Sequence, residues 1–174
     1  MSTGQPFIAS LVLIACVLVS SSPGFAEGLH VPAAPTEDRF KNEAFRRAAR
    51  LVQAGNHREA AKVLLPRIKE IRASLRAAYH GKTNRKRRHA LDAFVSNPHP
   101  VVVLVDDRFW LRGDVLRLAA CVHAANGHWD KASNSLLALI QSKQATANDL
   151  EFARTAIKHT PKHPLHLEPT LLTR

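Results

Sequence analysis

Two stretches of this chain, 41–68 and 113–140, carry the same pattern at an offset of 72 residues. The first reads KNEAFRRAARLVQAGNHREAAKVLLPRI and the second GDVLRLAACVHAANGHWDKASNSLLALI. Aligning Gly55 with Gly127 also aligns Ala48 with Ala120, Ala60 with Ala132 and Leu64 with Leu136. Apolar residues recur in each at helical spacing on either side of the glycine, which predicts two helices meeting at a tight turn. A glycine at that point supplies the left-handed backbone with which helices commonly stop. The alanines fall where the paired helices cross, so close approach is built into both copies.

Phe40, Ala44, Phe45, Ala48, Leu51 and Val52 mark the first helix. Asn56 followed by Glu59 predicts a capping box for the second, whose stripe runs Ala60, Val63, Leu64, Ile68, Ile71, Leu75 and Ala78. Pro66 lies within that stripe and predicts a kink, because it lacks the N–H of a ladder bond. Ala90, Leu91, Phe94 and Val95 suggest a short helix stopped at Asn97-Pro98-His99-Pro100. The run Val101 to Val105 has strand propensity but no evident partner, so it reads as extended or helical packing against a neighbour. Asp106 or Asp107 then caps a helix carrying Phe109, Trp110, Leu116, Ala120 and His123 on one side. A last helix, about 148–159, has Leu150, Ala153 and Ile157 as its stripe and reads as a solvent-facing terminal cap.

The paired hairpins resemble tetratricopeptide repeats, stacked helix pairs with a period of roughly 34 residues. The residues carrying the resemblance are Ala48, Gly55, Ala60 and Leu64, and again Ala120, Gly127, Ala132 and Leu136. Trp129 stands where the family often has an aromatic after the turn, and His57 holds that place in the first copy. The offset is close to two periods, which implies a degenerate middle hairpin within 70–96. The resemblance covers about half of the chain beyond its leader. It implies an all-α fold, with antiparallel hairpins stacked as a short solenoid and closed by a C-terminal helix. It also implies a protein partner held in a groove lined by the first helices: Asn42, Phe45 and Val52, then Asp114, Arg117 and Cys121. The alternative is an unrelated helical bundle with the same small-residue crossings.

The ends divide from this helical region. Residues 1–26 hold an apolar run from Phe7 to Val19 followed by small residues up to Ala26, as in a signal peptide cut before Glu27. Leu13-Ile14-Ala15-Cys16 offers the alternative of a lipid-bearing Cys16. Residues 27–39 read as a lead-in, 40–160 as the helical domain and 161–174 as an irregular tail. The protein is expected to be secreted or periplasmic. Cys121 is then the one remaining cysteine, so no disulfide within the chain holds the fold.

Charge is concentrated. The formal charge is +11, and the span 62–89 has ten basic residues against the single acid Glu70, a net +9. Lys62, Lys69, Arg72 and Arg76 share a helical face, and the segment Arg85, Lys86, Arg87 and Arg88 comes after it. Such a surface attracts polyanions: acidic lipid, glycan or nucleic acid. Tyr79 is the one aromatic residue there, which speaks against base stacking. A plain solvated face is the competing account.

Catalytic signatures are missing: no phosphate-binding glycine loop, nucleophile elbow or paired-acid helix motif occurs. His159, His163 and His166 are split by Pro161 and Pro164, so they do not share a helix face as metal ligands would. No cofactor or small-molecule substrate is inferred. His123 reads as a hydrogen-bonded core residue and Cys121 as a small buried filler. The residues thus point to a non-enzymatic adaptor that binds a protein through a helical groove, or to an electrostatic binder of polyanions through 62–89.

Overall fold

Each glycine turn does what its position requires. In the computed structural model, which describes residues 33–79 and 101–172, helix α1 (Glu43–Gln53) and helix α2 (His57–Tyr79) meet at Gly55, whose φ is +76°. Helices α3 (Gly113–Ala125) and α4 (Trp129–Gln141) meet at Gly127, φ +75°. The turns share their hydrogen bonds. Asn56 N donates to Leu51 O and His128 N to His123 O, each at 2.8 Å; Gly55 N and Gly127 N donate to Val52 O and Ala124 O. The bonds of Ala54 N to Arg50 O and Ala60 N to Asn56 O likewise have counterparts 72 residues on, in Asn126 N to Val122 O and Ala132 N to His128 O. This double bond satisfies carbonyls that a helix end otherwise leaves open.

The aligned alanines lie inside the packed hairpins. Ala48, Ala60, Ala120 and Ala132 are fully buried, and Leu64 and Leu136 fill the space beside them. Small side chains let helix axes approach, and the leucines recover apolar burial around the contact. The hairpins then pack on one another through α2 and α3. Asn126, at the end of α3, donates its amide to His57 O at 3.1 Å, which sets the two turns at the same end of the molecule. The fold is predominantly helical, as an all-α chain should be. Pro66 sits within α2, which continues as a helix on both sides of it.

Between the hairpins the structure departs from the expectation. Val102–Val105 is strand β1, paired antiparallel with β2 (Arg108–Leu111) in the register Val102 to Leu111 and Leu104 to Phe109. Asp106 and Asp107 adopt φ +47° and +57°, both left-handed, and form the two-residue turn of this hairpin. They therefore do not cap α3, and Phe109 and Trp110 belong to a strand. Two consecutive left-handed residues give the turn whose twist suits a tight hairpin, and Asp tolerates that conformation better than most. Val102 and Leu111 face the core; Leu104 is half-exposed.

Helix α5 (Ala147–His159) starts with a complete capping box: the Thr146 hydroxyl accepts from Asp149 N and the Asp149 carboxylate accepts from Thr146 N. Its buried face is Asp149, Phe152, Ala153 and Ala156, so the stripe is rotated from the Leu150–Ala153–Ile157 line. Leu150 and Ile157 are only partly covered. The tail is not irregular. A 3-10 turn at Pro164–Leu167 buries Leu165, and the short helix α6 (Pro169–Leu172) brings Leu171 onto the core. The expected leader, the second half of the proposed middle hairpin and Arg85 to Arg88 lie outside the described residues. Among the described residues no helix is long and apolar enough to cross a membrane.

An L-residue in left-handed backbone is disfavoured by about 1–2 kcal/mol. Gly127→Ala should therefore lower stability by about that much, read as an earlier urea midpoint. An unchanged midpoint would mean that the turn relaxes without cost.

Candidate functional site

Of the residues expected to line a groove, Asn42, Phe45 and Asp114 border one small concavity of about 30 Å³ between the start of α1 and the start of α3, and the rest are engaged inside the molecule. Phe45, Val52 and Cys121 are buried in the core. Asn42 caps α1 by accepting from Ala44 N at 3.0 Å. Arg117 is the centre of a polar cluster. Its Nε donates to both oxygens of Asp149 at 3.0 and 2.9 Å, Nη1 to Asp114 at 3.2 Å, and Nη2 to Gln144 O at 2.7 Å. The Asp149 side chain is 4 % exposed, so this ion pair is almost sealed from water. Asp114 is shared with Arg112 at 3.4 Å. Gln144 adds two further bonds, accepting from Gly113 N and donating to Leu111 O. Together they clamp the strand–helix junction to the start of α5. Burial, and next the Asp149 charge, push the Cys121 thiol up to about 12, so it is protonated and unreactive at neutral pH.

The basic face on α2 divides. Lys62 pairs with Glu59 at 2.6 Å, and Arg67 pairs with Glu70 at 2.7 Å. Lys69, Arg72 and Arg76 instead line an open cleft of about 610 Å³ between α2 and the second hairpin. Leu65, Ile68 and Ala119 supply its apolar side, and Lys131, Asn134 and Ser135 of α4 close it opposite. Among the described residues no carboxylate lines the cleft, and none of its four cations makes an ion pair. Partial burial, with the charge of Arg76 second, pulls the Arg72 pKa below its ordinary value. Repulsion of that kind is what a bound anion relieves.

His123 also lines this cleft, on α3. Burial is the main cause that lowers its pKa to about 4, with Lys131, His128 and Arg72 adding their positive charges. The imidazole is therefore neutral at pH 7. Lys131 and His123 were not part of the basic surface expected from sequence. Lys131 stands next to Asp130, so a running charge count cancels it, and only the hairpin packing carries it across to Arg72.

The tail histidines do not converge. His159 stacks on Trp129 with ring centroids 4.1 Å apart, His163 Nε2 meets Asn134 Oδ1 at 3.1 Å, and His166 bonds to the His163 carbonyl. Among the described residues no three potential metal ligands gather.

Because the His123 pKa is depressed in the folded chain, the unfolded chain binds the proton more readily between pH 6.5 and about 4. The contribution to stability is whole above pH 6.5 and is lost as pH falls through that window. An NMR titration should place His123 near 4, and His123→Gln should flatten the acid side of the stability curve. His123 is half-buried at the cleft rather than a core residue, and a pKa near 6.5 would contradict that cation-flanked setting.

No family model, no curated protein and no solved structure matches this chain, so the cleft is interpreted on its own geometry.

Proposed function

We propose that this protein is a non-enzymatic binding module for polyanionic ligands, with the cleft between α2 and the second hairpin as its binding site. The carrying observation is the convergence of Lys69, Arg72, Arg76 and Lys131 on one concavity that no carboxylate lines among the described residues. Four like charges held together repel, and an anion entering the cleft gains from all four. Lys62 stands outside the cleft and takes no part.

A protein-binding adaptor built on tetratricopeptide-like stacking is the second reading. The matching turns and buried alanines favour the hairpin pairing it requires. Of its contact residues, Val52, Arg117 and Cys121 are taken up by packing and ion pairs, and Asn42, Phe45 and Asp114 border a concavity of about 30 Å³, small for a peptide. An adaptor would therefore use the cationic cleft, and its partner would be acidic. The signal peptide expected from residues 1–26 would make the protein of either reading a secreted or periplasmic one.

Retention on heparin resin tests the reading. The protein should elute at elevated salt, with affinity falling linearly against log salt as counterions are released. Arg72→Ala with Arg76→Ala should elute earlier, and Lys62→Ala should change little. If the double variant elutes with the parent, the cleft is not the anionic site.

A further inference from the structure

Lys69, Arg72 and Arg76 lie at spacings of three and four residues on one helix face, so the row spans about 10 Å of α2. Lys131 approaches from α4 across the cleft. The ligand that balances these charges must concentrate several negative charges within about that length. The concavity, about 610 Å³, has the size of a small-molecule site, roughly 300–1,000 Å³. That suits a discrete ligand better than an extended polymer. Among the described residues His123 is the only ring in the lining, so a nucleobase has no other aromatic surface to stack on. Carboxylates along an extended peptide alternate between its two faces, so only about two of them meet a row of about 10 Å. Phosphoryl groups meet the requirement, and their oxygens match the two-pronged guanidinium geometry of Arg72 and Arg76.

We propose that the cleft binds a compact ligand bearing several clustered phosphoryl groups, held by Lys69, Arg72 and Arg76 on one wall and Lys131 on the other. This rests on the polyanion reading above and narrows it to one ligand chemistry. The phosphoryl cluster can belong to a soluble metabolite or to a lipid headgroup. Leu65, Ile68 and Ala119 line the apolar part of the site and accommodate the carbon skeleton that bears the groups.

The site also couples binding to protons. Arg72 from α2, Lys131 from α4 and His128 from the turn all suppress protonation of His123, and Lys69 and Arg76 line the same cleft. A phosphoryl cluster placed among them reverses the local field and favours imidazolium. Binding then draws a proton to His123, alongside the protons that phosphoryl groups, with a second pKa of about 6, release on meeting the cations.

Titration calorimetry on the full chain tests this with tripolyphosphate, citrate, inositol trisphosphate, and phosphatidylcholine vesicles containing phosphatidylinositol bisphosphate. Tripolyphosphate should bind one-to-one and saturably, and more tightly than citrate. Arg72→Ala with Arg76→Ala should weaken it at least about tenfold. Lys69→Gln with Lys131→Gln, on opposite walls, should do the same, with circular dichroism confirming that each variant is folded. Heats measured in two buffers should give a net proton uptake that is smaller in His123→Gln than in the parent. Equal affinity for inositol trisphosphate and the vesicles assigns a soluble ligand, and tighter vesicle binding assigns the lipid; both support the phosphoryl cluster. Tripolyphosphate binding no better than citrate, or binding that survives both double variants, overturns it. In that case persisting cleft-dependent heparin retention would leave the broader polyanion reading standing, whereas loss of both would remove both.

Discussion

Close helix crossing at four alanines is the constraint on which the rest of this structure depends. Ala48 and Ala60 in the first hairpin, and Ala120 and Ala132 in the second, are fully buried, and side chains that small let paired helices close. Once closed, each hairpin shows one apolar flank, and α2 and α3 bury these against each other. A larger residue at a crossing forces side chains off their rotamers or the backbone apart, at about 1–3 kcal/mol. It would also move α2 relative to α4, whose separation defines the cationic cleft. Architecture and cleft thus share one cause.

The Arg117 cluster anchors the chain beyond the second hairpin. Asp149 caps its own helix and receives the Arg117 guanidinium, so the same carboxylate starts α5 and ties it to α3. A buried pair of this kind adds little net stability against an apolar alternative, but removal of one partner alone costs about 3–5 kcal/mol. Its contribution is to fix register: Gln144 bonds to both Leu111 and Gly113, and α5 then meets α4 through the Ser133–Thr160 hydroxyl contact at 2.9 Å. The turn before α5 places Lys143 at φ +55°, where the two hairpins have glycine. Gln144 N there donates to Leu139 O, repeating the bond of the glycine turns.

Much of the helical plan is legible in the sequence, because glycine turns and alanine spacing are local signals. The β-hairpin escapes detection for a local reason too. Asp106-Asp107 lacks the glycine that usually marks a two-residue turn, and a strand whose partner lies two residues away looks partnerless when that partner is read as helix. The rotation of α5 arises from Asp149: a charged residue is placed outside by default, and only its pairing with Arg117 makes burial tolerable. The tail reads as irregular when its prolines are taken as breakers, yet Pro164 and Pro169 begin the short turns that carry Leu165 and Leu171 inward. For the site, Lys69, Arg72 and Arg76 are visible as one face of a helix. Lys131 and His123 are not, since their place opposite depends on how the hairpins dock.

The central claim is that this docking gathers charges distant in sequence into one anion site. Amide chemical shifts of the labelled protein, tracked during addition of tripolyphosphate, test that most directly. The account predicts that the largest changes fall together on Leu65 to Arg76 of α2, Ala119 to His123 of α3 and Lys131 to Ser135 of α4. Changes confined to α2, or centred on the β-hairpin or on α5, would contradict it.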